Sequence, residues 1–399
     1  MLEKDLQAEI YNALCQGRFC ELIKGIGYYR LMAKVNLYAE DAFSIETSIK
    51  QRYTDSVLHI YRRLKNEEYE IIGDENPKNI SLNRNERLFP DFLIHDYERN
   101  FYVFELKVGV KTEREAITEI LAYIFELKNH LPHINNREIS IVIISESFGT
   151  LLSHAVLQLI SFFGVRVLCL KVCGSRLNRR LDIFNPINLI VKNEERLTKR
   201  SFSTICLPLY QTESMSKKAN QNIEHIYKIA EDMILEKANR LNSDGFCVLY
   251  RNNEFGDEVG PIAKYYIKIS LLNPFELMDI ETIYNRNSPL SQSLYDLHRE
   301  SDYHLQSHFD EIVSDGVDFL NKFYHVELEG MLTLEQFEEV YNPSLMVDAI
   351  KCNVWGEFGT YVKKLIYSEC NGFDFFNEEK DHTHLFELWE ILAYLFGET

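Results

Sequence analysis

The chain predicts an α/β fold, with a mixed sheet flanked by helices in its first half and a mainly helical α+β domain after it. Three observations predict this. Ile139–Ser145 and Val165–Val172 are near-continuous apolar runs, as expected of strands buried on both faces. Phe101–Val108 is rich in aromatic and β-branched residues. Between such runs lie stretches with apolar residues three or four apart, the spacing of amphipathic helices.

Leu2–Leu14 reads as a short helix through Leu2, Leu6, Ile10 and Leu14, and Gly17, Gly25 and Gly27 then break the pattern. A longer helix is expected over Ser44–Leu64, with Ile49, Tyr53, Val57 and Ile60 on one side. Tyr69–Ile72 is a candidate strand, and a polar loop covers Asp74–Arg87. Leu88–Ile94 reads as a second strand, with Pro90 suited to a strand start. A turn at Asp96–Asn100 leads to the strand Phe101–Val108. The helix Thr112–Leu127 follows, then the strand Ile139–Ser145, the helix Leu151–Phe163 and the strand Val165–Val172. The texture changes after Asn185-Pro186, where Lys192–Ser203 looks charged and loop-like, so the domain boundary is placed near residue 195. Beyond it come a helix over Lys217–Leu241 and two strands, Gly245–Arg251 and Ala263–Leu271. A mainly helical remainder ends with Leu385–Phe396.

No run of about 18 apolar residues exists, so no membrane-spanning helix is expected. The mixed N-terminus lacks the apolar segment of a secretory signal, which leads to the expectation of a cytoplasmic protein. The eight cysteines form no Cys-x-x-Cys pair and read as reduced and structural. The net charge of −18 argues against a general nucleic-acid coat. Its distribution is uneven. Residues 1–195 hold 25 basic and 27 acidic side chains, whereas residues 196–399 hold 18 and 34. The acidic second domain is therefore expected to contact protein, as a partner or a second copy, and not DNA.

Chemistry concentrates on two neighbouring strands. Glu105 and Lys107 are two apart, so they share a face. Asp91, on the antiparallel neighbour, is expected beside Glu105. Two carboxylates that close repel unless a cation lies between them. With the Leu106 carbonyl they would form an oxygen-rich site for Mg²⁺ or Mn²⁺. Such a site suits phosphodiester hydrolysis, with the metal activating water and Lys107 stabilising the charged transition state.

Pro90-Asp91, thirteen intervening residues and then Glu105-Leu106-Lys107-Val108 resembles the PD-(D/E)xK nuclease superfamily, over residues 38–172. The resemblance implies a restriction-endonuclease-like mixed sheet and catalysis by Asp91, Glu105 and Lys107. It implies a further metal-binding glutamate on the preceding helix, best matched by Glu46, with Glu40 second. On the helix after the motif, Glu119 and Tyr123 match family positions near the substrate. Lys111 and Arg114 could contact substrate phosphates there, as could the cluster Arg176, Arg179 and Arg180. His304 with His308, and Asp381-His382-Thr383-His384, read as ordinary surface residues.

The expectation is thus a Mg²⁺-dependent endonuclease acting on DNA, duplex or single-stranded. It would be a possible homodimer and a candidate microbial defence or restriction effector. The alternatives are a catalytically inactive nuclease-like binding or scaffold module, and a nuclease that cleaves RNA.

Overall fold

The computed structural model describes residues 3–34, 45–66, 69–73, 78–83, 85–108, 113–174, 178–189, 197–211, 222–252, 263–273, 288–300, 308–340 and 348–369. It divides into two compact units, each built on its own sheet. The fold is α/β, with a mixed seven-stranded sheet in the first unit and an antiparallel sheet flanked by helices in the second.

The first unit opens with the helices α1 (Glu3–Cys15), α2 (Phe19–Leu22) and α3 (Ile26–Met32), with the two-residue strand β1 (Ile23–Lys24) between the last two. Then come α4 (Ile45–Lys65), β2 (Tyr69–Ile71), β3 (Phe92–Asp96) and β4 (Phe101–Lys107). They are followed by α5 (Glu113–His130), β5 (Ile139–Ser145), α6 (Thr150–Ser161), β6 (Arg166–Cys173) and β7 (Arg180–Ile183). Across the sheet the order is β1-β7-β6-β5-β4-β3-β2. The meander β2-β3-β4 is antiparallel, whereas β4, β5 and β6 run parallel. All of β5 and all but the first residue of β4 are buried, as two-sided cover by helices requires.

Two expectations change here. β3 starts at Phe92 and not at Leu88, so Pro90-Asp91 stand just before the strand. Pro90 brings no N–H to a ladder, and the Phe89 carbonyl is taken by the Tyr123 hydroxyl at 3.0 Å. β1 and β7 were not expected; they are too short to show a period in sequence.

α4 is keyed to β6 by side-chain hydrogen bonds. β7 pairs with β6 only from Leu170 to Cys173, which leaves the earlier part of that edge without a strand partner. The Ser56 hydroxyl donates to the Val167 carbonyl at 2.9 Å and accepts from the Val167 N–H at 2.6 Å. The Tyr53 hydroxyl accepts from the Cys169 N–H at 3.3 Å and donates to the Phe184 carbonyl at 2.6 Å. Buried backbone groups must find partners, and here a helix supplies what a strand would have.

In the second unit, β8 (Phe202–Tyr210), β9 (Gly245–Arg251), β10 (Tyr265–Leu272), β11 (His325–Val326), β12 (Glu329–Thr333) and β13 (Asp348–Trp355) form an antiparallel sheet. β8, β10, β9 and β13 lie side by side, and β11 and β12 both pair with the other edge of β8. The helices are α7 (Ile223–Arg240), α8 (Pro289–Glu300), α9 (Phe309–Leu320), α10 (Leu334–Val340) and α11 (Gly356–Glu369). One face of the sheet packs Ile205, Leu207, Leu249 and Ile267 with residues of α7 and α9. The other packs Phe202, Phe246, Val248 and Val354 with Phe358 and Val362 of α11. The mainly helical expectation thus gives way to a sheet covered on both faces. β8 and β13 were missed for different reasons. Pro208 interrupts β8, and it falls where the pairing of β8 passes from β12 to β11. β13 does alternate, through Ile350, Cys352 and Val354, but it lies among charged segments. The expected helix Leu385–Phe396 lies outside the described residues. Among the described residues no helix is long and apolar enough to cross a membrane.

Tyr53→Phe removes the one side chain that satisfies both Cys169 N–H and Phe184 C=O. It is expected to cost about 1–3 kcal/mol in a urea unfolding experiment, the usual penalty for stranding a buried polar group. A loss of only a few tenths would show that α4 is held by apolar packing alone.

Candidate active site

The site lies where β3 and β4 meet the face of α5. Strand alternation sends Tyr102, Phe104 and Leu106 to one face of β4, where Phe104 meets Phe19 and Phe92 edge-on. Glu105 and Lys107 project to the other, against α5. Both are nearly inaccessible, at 2% and 8% exposure. β3 and β4 pair Phe92 with Phe104, so Asp91 stands one step further along, at the level of Glu105. Its Oδ2 accepts the Leu106 N–H at 2.7 Å. The Asp91 carboxylate is thereby anchored to the peptide between the other two motif residues.

The Lys107 ammonium lies between two carboxylates, 2.7 Å from Glu105 Oε1 and 2.8 Å from Glu119 Oε2. Glu119 and Tyr123 are one helical turn apart on α5 and face the same way as Ala116 and Ile120. The Tyr123 ring is buried beside the acidic cluster. Burial, then Glu105, Glu119 and Asp91, push its hydroxyl above the ordinary tyrosine range.

Burial, and then the neighbouring Asp91, push the Glu105 carboxyl up to about 9, against the pull of Lys107. Lys107 itself is held above the usual lysine range: its two carboxylate partners outweigh the burial that opposes them. Glu105 Oε2 is buried and has no hydrogen-bond partner. Leaving a carboxylate oxygen dry and unpaired is costly, and a ligand that met it would relieve that cost. Among the described residues there is no group of three or more His, Cys, Asp or Glu arranged to hold a metal ion.

The structure therefore brings together Asp91, Glu105, Leu106, Lys107, Glu119 and Tyr123. Glu46 lies in the first turn of α4, and among the described residues no hydrogen bond or ion pair joins it to this cluster. Arg114 is exposed in the first turn of α5, while Glu40, Lys111 and Arg176 lie outside the described residues. Arg179 turns inward to an ion pair with Glu9, whereas Arg180 is exposed and pairs with Asp182 at 3.2 Å. His308 stands at the N-cap position of α9 without a side-chain capping bond, while His304 and 381–384 fall outside the described residues. The Lys107–Glu119 pair was not anticipated. Its signal was the helical face of α5, on which Glu119 falls among Ala116, Ile120 and Tyr123.

A carboxyl raised in the folded state holds a proton that the unfolded chain has released. Its contribution to stability is fully present below the unfolded value, near 4.5, and is lost as pH rises toward 9. Glu105→Gln removes this titration. Relative to the variant, the wild-type chain is expected to lose up to about 1.4 kcal/mol per pH unit across that window. Denaturant melts at pH 5, 7 and 8.5 measure the difference. A constant gap would show that Glu105 is ionised throughout.

No family model, curated protein or solved structure matches the chain.

Proposed function

We propose that the first unit is a metal-dependent phosphodiester hydrolase of the PD-(D/E)xK type, acting on DNA through Asp91, Glu105 and Lys107. One observation carries this reading: an otherwise apolar strand buries Glu105 and Lys107 side by side, and Asp91 is hydrogen-bonded to the peptide between them. Charged side chains are seldom buried in a sheet without a task. The chain order supports the reading. A helix, an antiparallel three-strand meander, a helix and a parallel strand follow one another as α4, β2-β3-β4, α5 and β5, the order expected of a restriction-endonuclease-like fold.

The donor chemistry fits a hard divalent cation, because the buried, unpartnered Glu105 oxygen lies beside a second carboxylate. Asp91, Glu105 and the Leu106 carbonyl would hold Mg²⁺ or Mn²⁺, which when bound supplies Lewis-acid activation of water and phosphate. The Leu106 N–H fixes the Asp91 carboxylate. Glu119 holds the Lys107 ammonium in place and charged, so that it can neutralise charge developing on the phosphate. Tyr123 ties the Phe89 carbonyl and so steadies the loop that presents Asp91. Arg114, exposed at the start of α5, is placed to meet the substrate backbone. The acidic region 196–399 serves as a recognition, regulatory or assembly domain that contacts protein, a second copy included.

A second reading, a nuclease-like module without catalysis, rests on the closed Glu105–Lys107–Glu119 ion triad, which satisfies Lys107 from within the chain. Cleavage of plasmid, linear duplex, single-stranded DNA and RNA with Mg²⁺ or Mn²⁺ separates the two. Cleavage by the wild-type chain is expected. It should fall about a hundredfold or more in Lys107→Met, the order that follows loss of a transition-state charge partner. A melting curve shows that the variant is folded. Absence of cleavage of every substrate with either metal favours the inactive module, and unchanged activity in Lys107→Met removes Lys107 from the mechanism.

A further inference from the structure

A second concentration of charge lies in the first unit, well away from the carboxylates. A cavity of about 280 Å³ opens between the middle of α4 and the start of β6. Arg52, Asp55, His59 and Arg62 of α4 line it, with Arg166 at the start of β6 and Arg137 in the turn before β5. Four guanidinium groups thus face one carboxylate. Arg166 pairs in register with Ser140, near the beginning of β5, whereas Lys107 pairs with Ser145 at its end. Five residues of strand separate the two levels, roughly 16 Å at the usual rise.

Several of these groups are already held in place. Arg52 donates to the Ser161 carbonyl at 2.9 Å, at the C-terminal end of α6. Arg166 donates to the Arg137 carbonyl and to His59 Nε2, the latter at 3.0 Å. His59 is thereby an acceptor, in its neutral form. Burial, then Arg166 and Arg63, hold its ring down to about 4. Burial and Arg137 likewise lower Arg166. Arg62 and Arg137 are exposed at the rim, and among the described residues neither has a carboxylate partner. Like charges gathered around a concave surface repel one another, and four guanidinium groups with only Asp55 among them in the lining favour an anion there.

The geometry points to a binding site in this cavity for a small phosphate monoester, of mononucleotide size or less. Guanidinium forks match phosphate oxygens in pairs, and a dianion answers the surplus of positive charge better than a single carboxylate. The volume is at the lower end of small-ligand pockets. Leu58, Ile160 and Val165 supply apolar wall for the rest of the molecule. The site lies at the other end of the parallel strands from Glu105 and Lys107 and does not depend on how those residues are used. A ligand there would bridge α4, β6 and the turn before β5.

The test is calorimetric titration of the full chain at constant ionic strength, with inorganic phosphate, adenosine monophosphate, adenosine and an unphosphorylated DNA oligonucleotide as probes. Saturable binding of phosphate and the monophosphate is expected, with none of adenosine. The affinity should drop at least tenfold in the double variant Arg62→Gln/Arg137→Gln. Those side chains are exposed, so the variant should keep the wild-type melting temperature without ligand, and a melt verifies it. If the double variant unfolds, Arg62→Lys takes its place, with a weaker but measurable loss expected because the fork is gone. Three results overturn the proposal: no binding of either phosphate compound at millimolar concentration, equal binding in the variant, or binding of the oligonucleotide alone.

Discussion

The ion triad of Glu105, Lys107 and Glu119 is the constraint around which the first unit is arranged. A carboxylate and an ammonium on a strand buried on both faces would each be unstable alone, because neither keeps its water. They tolerate burial by sitting 2.7 Å apart, and the ammonium is completed by a second carboxylate 2.8 Å away on α5. That requirement places α5 across β4. The helix must present Glu119 at the level of Lys107, and its apolar neighbours Ala116, Ile120 and Tyr123 then cover the same face. A buried ion pair is weak evidence for stability, because well-packed apolar residues would serve as well or better. Its presence at the end of a buried strand is an argument for chemistry.

Asp91 adds the asymmetry. It lies outside β3, where the chain is free of the ladder, and reaches the Leu106 N–H. One hydrogen bond thus links the loop before β3 to the strand that carries the other two motif residues. The cluster then holds three carboxyl groups around one ammonium, and the charged form is least favoured at Glu105, the most enclosed of them. Its raised affinity for a proton expresses the same need as its unpartnered oxygen: a positive partner beyond Lys107.

The two charged regions of the first unit stand at opposite ends of the same parallel strands, one rich in carboxylates and one in guanidinium groups. α4 connects them. Its middle is fastened to β6 through Tyr53 and Ser56, its first turn carries Glu46, and its later turns carry His59 and Arg62.

The sequence by itself determined the longer helices and strands of the first unit, though not β1 or β7, and the identity of the charged residues on β4. Period and composition are local properties, and Glu105 and Lys107 share a face on any strand. It also placed Asp91 opposite Glu105, because an antiparallel turn at 96–100 leaves little choice of register. Three things were decided only by tertiary structure. Glu119 became the second partner of Lys107 because packing rotates α5 toward β4. Arg179 was withdrawn from the surface by Glu9, a residue 170 positions away in the chain. The sheet of the second unit emerged from segments such as β8 and β13, whose apolar residues acquire meaning only when distant strands and two layers of helix cover them. Long-range pairing is not encoded in any local window. For the same reason four arginines scattered from 52 to 166 became one cavity only when α4 lay down on β6.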